Sequence, residues 1–334
     1  MTDIKIGIPR ALQYYFYEDL WLGFFKNLGI ETIVSPVSNK EIVKMGVAHS
    51  IDEACFSSKI FIGHVEWLLD KCDMIFVPRI ENSAIREEYC TRIFGLYDLV
   101  RNTFPSVKLL NADVNYMYRR RESNAFEKMG ATLGFSKETT LAAYKSAFES
   151  AEQIKADKIQ KQEALLAGDG IKVLIFSHAY NTYDACIGKD ITDYFEKTGV
   201  KAAHADLINE AEARALTKAS YGKRVYWKVT TQMIGGMEKY RSQVDGIVLI
   251  STFPCGPDSL FNELVLRQVK DKPILSLVID EQDASAGIQT RLESFMDIIM
   301  ANRKIQNLQD SDGGASDLSV SSNDCETVVA GGVI

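Results

Sequence analysis

Short apolar runs alternate with longer stretches in which apolar residues recur every three or four positions. Residues 4–8, 30–34, 74–78 and 107–110 have the length and branching of buried strands. Between them, Leu12 to Leu28, Lys40 to Met45, the set Phe56, Ile60, Trp67 and Leu68, and a stretch from Thr91 carry helical spacing, and Gly29 stops the first of these. Pro78 breaks the third strand, and a loop is expected from there to Tyr89-Cys90. The pattern restarts at Ile171. Strands are predicted at 171–176, 247–250 and 274–279, and helices at 187–197, 232–240, 260–269 and 288–300. Strands alternating with helices predict parallel, doubly wound sheets. The second half repeats the architecture of the first without a visible repeat of sequence.

The intervening stretch differs. Ser136-Lys-Glu-Thr caps a helix rich in Ala, Lys, Glu and Gln that runs to Gly168-Asp-Gly170. The expected organisation is an α/β chain of two Rossmann- or flavodoxin-like domains, 1–135 and 169–304, joined by a bridging helix over 136–168, with a cleft between them. Beyond Gln306 the chain turns to small polar residues, which predicts a disordered tail over 305–334.

Length changes this picture little: 334 residues suit two domains. A formal charge of −7 without a basic stripe argues against nucleic acid as a partner. No run approaches the roughly 20 apolar residues of a membrane span, and MTDIKIGIPR lacks a signal pattern, so a cytoplasmic protein is expected. Six cysteines in a chain of this size do not make a disulfide scaffold. CxxC, HExxH and GxxxxGK[ST] are all absent.

The chemistry centres on Ile247 to Ser259. An apolar strand stops at Phe253-Pro-Cys-Gly-Pro257, and Asp258-Ser259 opens a helix. Cys255 therefore stands at the carboxyl end of a parallel strand, where open α/β sheets bind ligands. A thiol near a helix N-terminus is biased toward thiolate, the form that binds metal or attacks. Cys55 and Cys90 each precede a predicted helix in a comparable place. Three such thiols suit an iron–sulfur cluster in the cleft. The plainer reading of each is a buried cysteine acting as a small hydrophobe. Cys72 enters a strand and reads as core; Cys186 lies near the Asp184 turn, and Cys325 lies in the tail.

Four stretches carry a resemblance: Ile6-Gly-Ile-Pro-Arg-Ala11; Glu53-Ala-Cys-Phe-Ser-Ser-Lys59 with Gly63-His64; Phe253-Pro-Cys-Gly-Pro-Asp258; and Ile279-Asp-Glu281 with Thr290-Arg-Leu-Glu293. Over about residues 4–300 the chain resembles 2-hydroxyacyl-CoA dehydratase components and the acyl-CoA dehydratase activase-related proteins of anaerobes. The resemblance implies a [4Fe-4S] cluster on Cys55, Cys90 and Cys255 for low-potential electron transfer or radical dehydration. Some relatives hold a double-cubane cluster instead and reduce small molecules without CoA. It further implies an ATP-dependent activase or reductase as partner, an acyl-CoA substrate, and a homodimer or a paired homologous subunit. Phe56 and Thr91 stand where relatives have proline, and Ser177 to Asp184 replaces an Arg-Pro-Tyr version. The arginine lost there puts CoA binding at that loop in question. The chain holds no recognisable ATPase of the activase type.

His64, on the helix after Cys55, is a candidate proton donor or sulfide hydrogen-bond partner, with a packed helix histidine as the plainer reading. His178 and Tyr180 follow a strand end, where a pocket role and a plain loop role are equally expected. Asp280-Glu281 followed by Thr290-Arg291 is a candidate acid pair for chemistry, with an internal anchor in which Arg291 clamps Asp280 or Glu281 as the favoured reading. Lys59 and Arg10 are candidate phosphate ligands, though single basic residues more often face solvent, and Arg119 to Arg121 reads as a surface turn. A different class of reading is a cluster-free binding module, with zinc on Cys55, Cys90, Cys255 and His64 as its metal form.

Overall fold

The computed structural model describes residues 4–84, 87–282 and 285–312. The first half begins β1 (Lys5–Ile8), α1 (Tyr14–Asn27), β2 (Glu31–Val34), α2 (Lys40–Ala48), α3 (Phe56–Leu68) and β3 (Met74–Phe76). It continues β4 (Arg79–Ala84), β5 (Glu87–Glu88), α4 (Thr91–Phe94), α5 (Leu96–Thr103), β6 (Leu109–Leu110), β7 (Asp113–Asn115), α6 (Glu122–Thr132) and α7 (Lys137–Ala167). The second half runs β8 (Lys172–Phe176), α8 (Ala179–Thr182), α9 (Lys189–Lys197), β9 (Lys201–His204), α10 (Glu210–Tyr221) and α11 (Lys228–Tyr240). It closes with β10 (Gly246–Thr252), α12 (Gly256–Gln268), β11 (Ile274–Ile279) and α13 (Ser285–Asp312).

Two parallel four-stranded sheets result, ordered β2-β1-β3-β6 and β11-β10-β8-β9. In each, the first strand lies centrally, the second on one side, and the third and fourth on the other. Each sheet therefore has a switch point, between β1 and β3 and between β8 and β10, where adjacent loops diverge and leave a crevice at the carboxyl edge. The fold is the expected α/β pair of parallel-sheet domains with a cleft.

The link is α7, capped by the Ser136 side chain on the Thr139 amide. Its buried side chains include only Thr140, Ala143, Ala147, Gln162 and Leu166, so most of its length faces solvent. One end holds the first half, where Asn27 donates to the Ala143 carbonyl. The other holds the second, where Gln162 exchanges hydrogen bonds with the His204 backbone.

Two expectations are corrected. The loop after Pro78 is instead β4 and β5, which join β7 in a small separate sheet. The alternation was hidden because Asn82 shares the inward face with Ile80. Asn82 is satisfied there by the Asn115 side chain and the Tyr116 amide. The closing helix also continues to Asp312, past the predicted start of the tail. The rest of that tail, 313–334 with Cys325, lies outside the described residues.

The two halves also agree in detail. Asn39 caps α2 by accepting from the Glu41 and Ile42 amides, and Asn209 caps α10 by accepting from Ala211 and Glu212. The pair α2/α3 crosses closely at Gly46 and Gly63, and α10/α11 crosses at Ala213 and Gly235.

Candidate functional site

A cavity of about 40 Å³ lies where the carboxyl edges of the two sheets meet, lined by Cys55, Cys90, Cys255, His178, Tyr180 and Trp227 among others. One water needs ~10–15 Å³ measured this way, so the space holds a small group. The three cysteines come from separate elements: Cys55 is the N-cap of α3, Cys90 of α4 and Cys255 of α12. Their carbonyls accept the helix-opening hydrogen bonds, from Ser58 at 2.8 Å, Ile93 at 2.8 Å and Ser259 at 3.0 Å. The three residues all line the cavity; the Cys55 sulfur is also approached by the Ser58 amide, and the Cys255 sulfur by the amide and carboxylate of Asp258.

The wall is stitched across the halves. The Phe56 amide donates to the Phe253 carbonyl at 2.9 Å. Ser57 Oγ reaches Asn181 Oδ1 at 2.7 Å and Thr252 Oγ1 at 3.0 Å. Lys59, 4% exposed, is paired with Glu281 at 2.7 Å. The cation on Glu281 is thus Lys59 from the other half rather than Arg291, and Lys59 is not a solvated surface lysine. Arg119, with φ 58°, lies in the exposed turn expected of it.

The expected thiolate bias does not hold for the bare chain. Burial pushes the Cys55 and Cys255 thiols up, and the Asp258 carboxylate adds to this at Cys255. A helix N-terminus contributes only about 0.3–1 kcal/mol near a surface, too little to offset burial. Protons remain on these sulfurs until something stronger displaces them.

His178 stands at the cavity wall with its Nε2 2.6 Å from Asp258 Oδ1. Its ring stacks on Tyr180 at 4.8 Å and 7°. Burial raises the Tyr180 phenol well above its ordinary range, helped by Asp258 and the three thiols, so it stays a hydrogen-bond donor. His178 Nδ1 and Ser58 Oγ are buried without a partner among the described residues, and both residues line the cavity.

His64 belongs elsewhere. Its Nε2 lies 2.9 Å from Ser38 Oγ, which donates to Asp184 Oδ2 at 2.5 Å; Tyr15 also reaches that oxygen at 3.4 Å. Since the Ser38 proton goes to Asp184, His64 Nε2 carries the proton donated to Ser38. Burial, then Arg10, lowers the His64 pKa to about 3, so the ring is neutral and is no imidazolium acid. This network ties α3 and the loop before α2 to the second half, outside the cysteine cavity.

Asp184 is raised to about 6 by burial. A carboxyl raised above its unfolded value favours the fold most at low pH, and that contribution is lost as pH rises through the folded value. Asp184→Asn keeps an acceptor for Ser38 and has no charge to bury. Relative to wild type it is expected to gain stability from pH 4 to pH 7, by up to about 3 kcal/mol. Urea unfolding at stepped pH measures this, and a difference that stays flat with pH refutes it. Taking the difference removes the background of Asp206, His64 and His204, whose pKa values are also shifted by burial.

Sequence reading missed Trp227, Ser58, Arg92 and Tyr89 as cavity residues, and the hydrogen bond of Asp258 to His178. The available signal was Gly63, eight residues after Cys55, echoed by Gly235, eight residues after Trp227. Among the described residues no three His, Cys, Asp or Glu close on one metal-ion position. The zinc site of three cysteines with His64 is therefore not formed. No described helix is long and apolar enough to cross a membrane.

A family model described as CoA enzyme activase uncharacterised domain (DUF2229) matches residues 5–208. No curated protein matches the chain. Among solved structures, the chain is similar to the SBP FpvC from Pseudomonas aeruginosa in complex with Mn2+, at 12% identity over 91% of this chain and 99% of that one, TM-score 0.30. A Zn(II)-bound mutant variant of AdcAII from Streptococcus pneumoniae has 13% identity over 89% and 97%, TM-score 0.30. The laminin-binding protein Lbp of Streptococcus pyogenes has 8% identity over 90% and 99%, TM-score 0.28. At this level of likeness nothing about those proteins' ligands carries over.

Proposed function

The chain belongs to the CoA enzyme activase uncharacterised domain family, and from that premise we propose that it is an iron–sulfur redox component of CoA-enzyme chemistry, with Cys55, Cys90 and Cys255 holding a [4Fe-4S] cluster. The observation that supports this is the meeting of three thiols, from three separate helix starts, on one cavity between the sheets.

The donor set fits that group better than a single ion. Zinc demands donors within about 2.3 Å of one point. A cluster gives each thiolate its own iron, so its donors stand farther apart. The two thiols raised by burial lose their protons to metal, and metal uptake should therefore release acid. The buried, partnerless His178 Nδ1 and Ser58 Oγ suit a polar occupant.

When bound, such a cluster supplies one-electron chemistry at low potential. The chain's own residues supply the rest. Tyr180 keeps its proton and can donate a hydrogen bond into the cavity. Asp258 fixes the ring of His178, the candidate for holding a proton beside the thiols. Leu12, Ile93 and Val229 limit water. An ATP-dependent activase as electron donor, an acyl-CoA as acceptor, and a dimer are the partners this reading implies.

The test is iron and acid-labile sulfide per chain after reconstitution without oxygen. About four of each are expected. Chain that stays colourless, with neither element above background, refutes the reading.

A further inference from the structure

A separate cavity of about 220 Å³ lies between β5 of the first half and α10 with its connection to α11 in the second. Its lining includes Arg214, Lys218, Arg224, Glu87, Thr217 and Thr231. Three of these are cations and one is a carboxylate, and that carboxylate is already taken. Glu87, 3% exposed, accepts from Arg214 Nε at 2.5 Å across the two halves. Arg214 Nη2 reaches Glu210 at 3.1 Å, but Glu210 also holds Lys155 and Lys228, each at 3.2 Å. Burial would raise the Glu210 carboxyl, yet Lys228 and Lys155 outweigh it and hold it down to about 2. One carboxylate thus serves three cations.

Nothing within the protein makes up the shortfall. Lys218 stands one turn beyond Arg214 on α10 and has no ion pair or hydrogen bond among the described residues. Lys218 and Arg224 are exposed, so the cavity opens to solvent on its basic side. The buried hydroxyls are committed to the frame: Thr217 donates to the Thr231 carbonyl at 2.8 Å, and Thr231 to the Trp227 carbonyl at 2.9 Å. A phosphoryl group brings up to about two negative charges and three acceptor oxygens, which suits two guanidinium groups and an ammonium better than a singly charged carboxylate does. The volume falls below the roughly 300 Å³ at which drug-sized pockets begin, so the occupant is small.

The same walls adjoin Cys90. The Glu88 amide donates to the Tyr226 carbonyl at 3.0 Å, and Glu88 bridges Trp227 as in a parallel ladder. Glu87 and Arg224 stand just before the two sides of that ladder and line the cavity from opposite halves. We propose that this cavity binds a small phosphorylated anion and that the bound anion fixes β5 against the α10–α11 connection, next to Cys90. No thiol or metal takes part, so the inference does not rest on the cluster reading above.

The experiment uses the full metal-free chain as wild type, Lys218→Gln/Arg224→Gln, and the charge-matched control Lys145→Gln/Lys161→Gln on the exposed face of α7. The probe is inorganic pyrophosphate, titrated by calorimetry with ionic strength held constant by chloride. Wild type and control should bind one equivalent saturably, and the Lys218/Arg224 variant should bind weaker by about tenfold or more. Saturation should also slow amide exchange in the peptide carrying Glu88, read by mass spectrometry. No saturable binding by wild type, or equal binding by the Lys218/Arg224 variant, overturns the site. An equal loss in the control reduces the effect to net charge and overturns it too. Binding that leaves Glu88 exchange unchanged overturns the hold on β5.

Discussion

Cys255→Ala should strip most of the iron and sulfide from the reconstituted protein, while Cys186→Ala should leave both unchanged. Cys255 borders the small cavity with Cys55 and Cys90. Cys186 instead lines a groove of about 1170 Å³ with Val43, Ile191 and Leu292. Both thiols are pushed up by burial, Cys186 to about 12, so a difference in iron content cannot be assigned to acidity. It would report position. A cluster left with two protein thiolates has lost a third of its anchorage, and removing one structural ligand typically removes the metal. Cys255 is only half-buried, so truncation should shift the metal-free unfolding midpoint by no more than about 1 kcal/mol. That separates loss of a ligand from loss of the fold. If Cys255→Ala retains iron at the wild-type level, the assignment of the three thiols is wrong.

The second large effect concerns backbone. Gly63→Ala should destabilise the chain by about 3 kcal/mol or more, as overpacking against a rigid neighbour does. A Cβ at Gly63 would sit 2.0 Å from the Ile42 carbonyl oxygen and 3.0 Å from the Gly46 amide nitrogen. Neither is the end of a side chain that can swing away, so α2 and α3 must separate. Because α3 carries Cys55 at its start, the surviving folded fraction should also hold iron less tightly. Gly287→Ala is the control, since nothing lies within 4 Å of a Cβ there. In a helix it should be neutral or stabilising by up to about 1 kcal/mol. Equal urea midpoints for the two variants would show that the close crossing is not rigid.

Much of this was legible from local pattern. The strands at β1, β8, β10 and β11 are apolar runs too short for helices, and the long polar α7 announces itself through Ser136 and the Gly168-Asp-Gly170 break. Cys55, Cys90 and Cys255 could be singled out because a helix start next to a chain break is a local feature. What failed had non-local causes. Arg79 to Ala84 did not read as a strand because Asn82 points inward and is satisfied by Asn115, a partner supplied by β7. Lys59 did not read as a buried cation because Glu281 arrives from the other half. His64 looked like a companion of Cys55 because the two share a helix. Its ring turns instead to Ser38, and through that hydroxyl to Asp184.

The sequence by itself determined the alternation of elements, the two parallel sheets, and the placing of three thiols at helix starts, since each depends on periodicity, caps and breaks within a few residues. Only the tertiary structure decided that those helix starts surround one cavity and that Cys55 and Cys255 keep their protons. Those outcomes depend on how the halves face each other, and on burial, which removes water from the sulfurs. Neither is a property of any single stretch of chain.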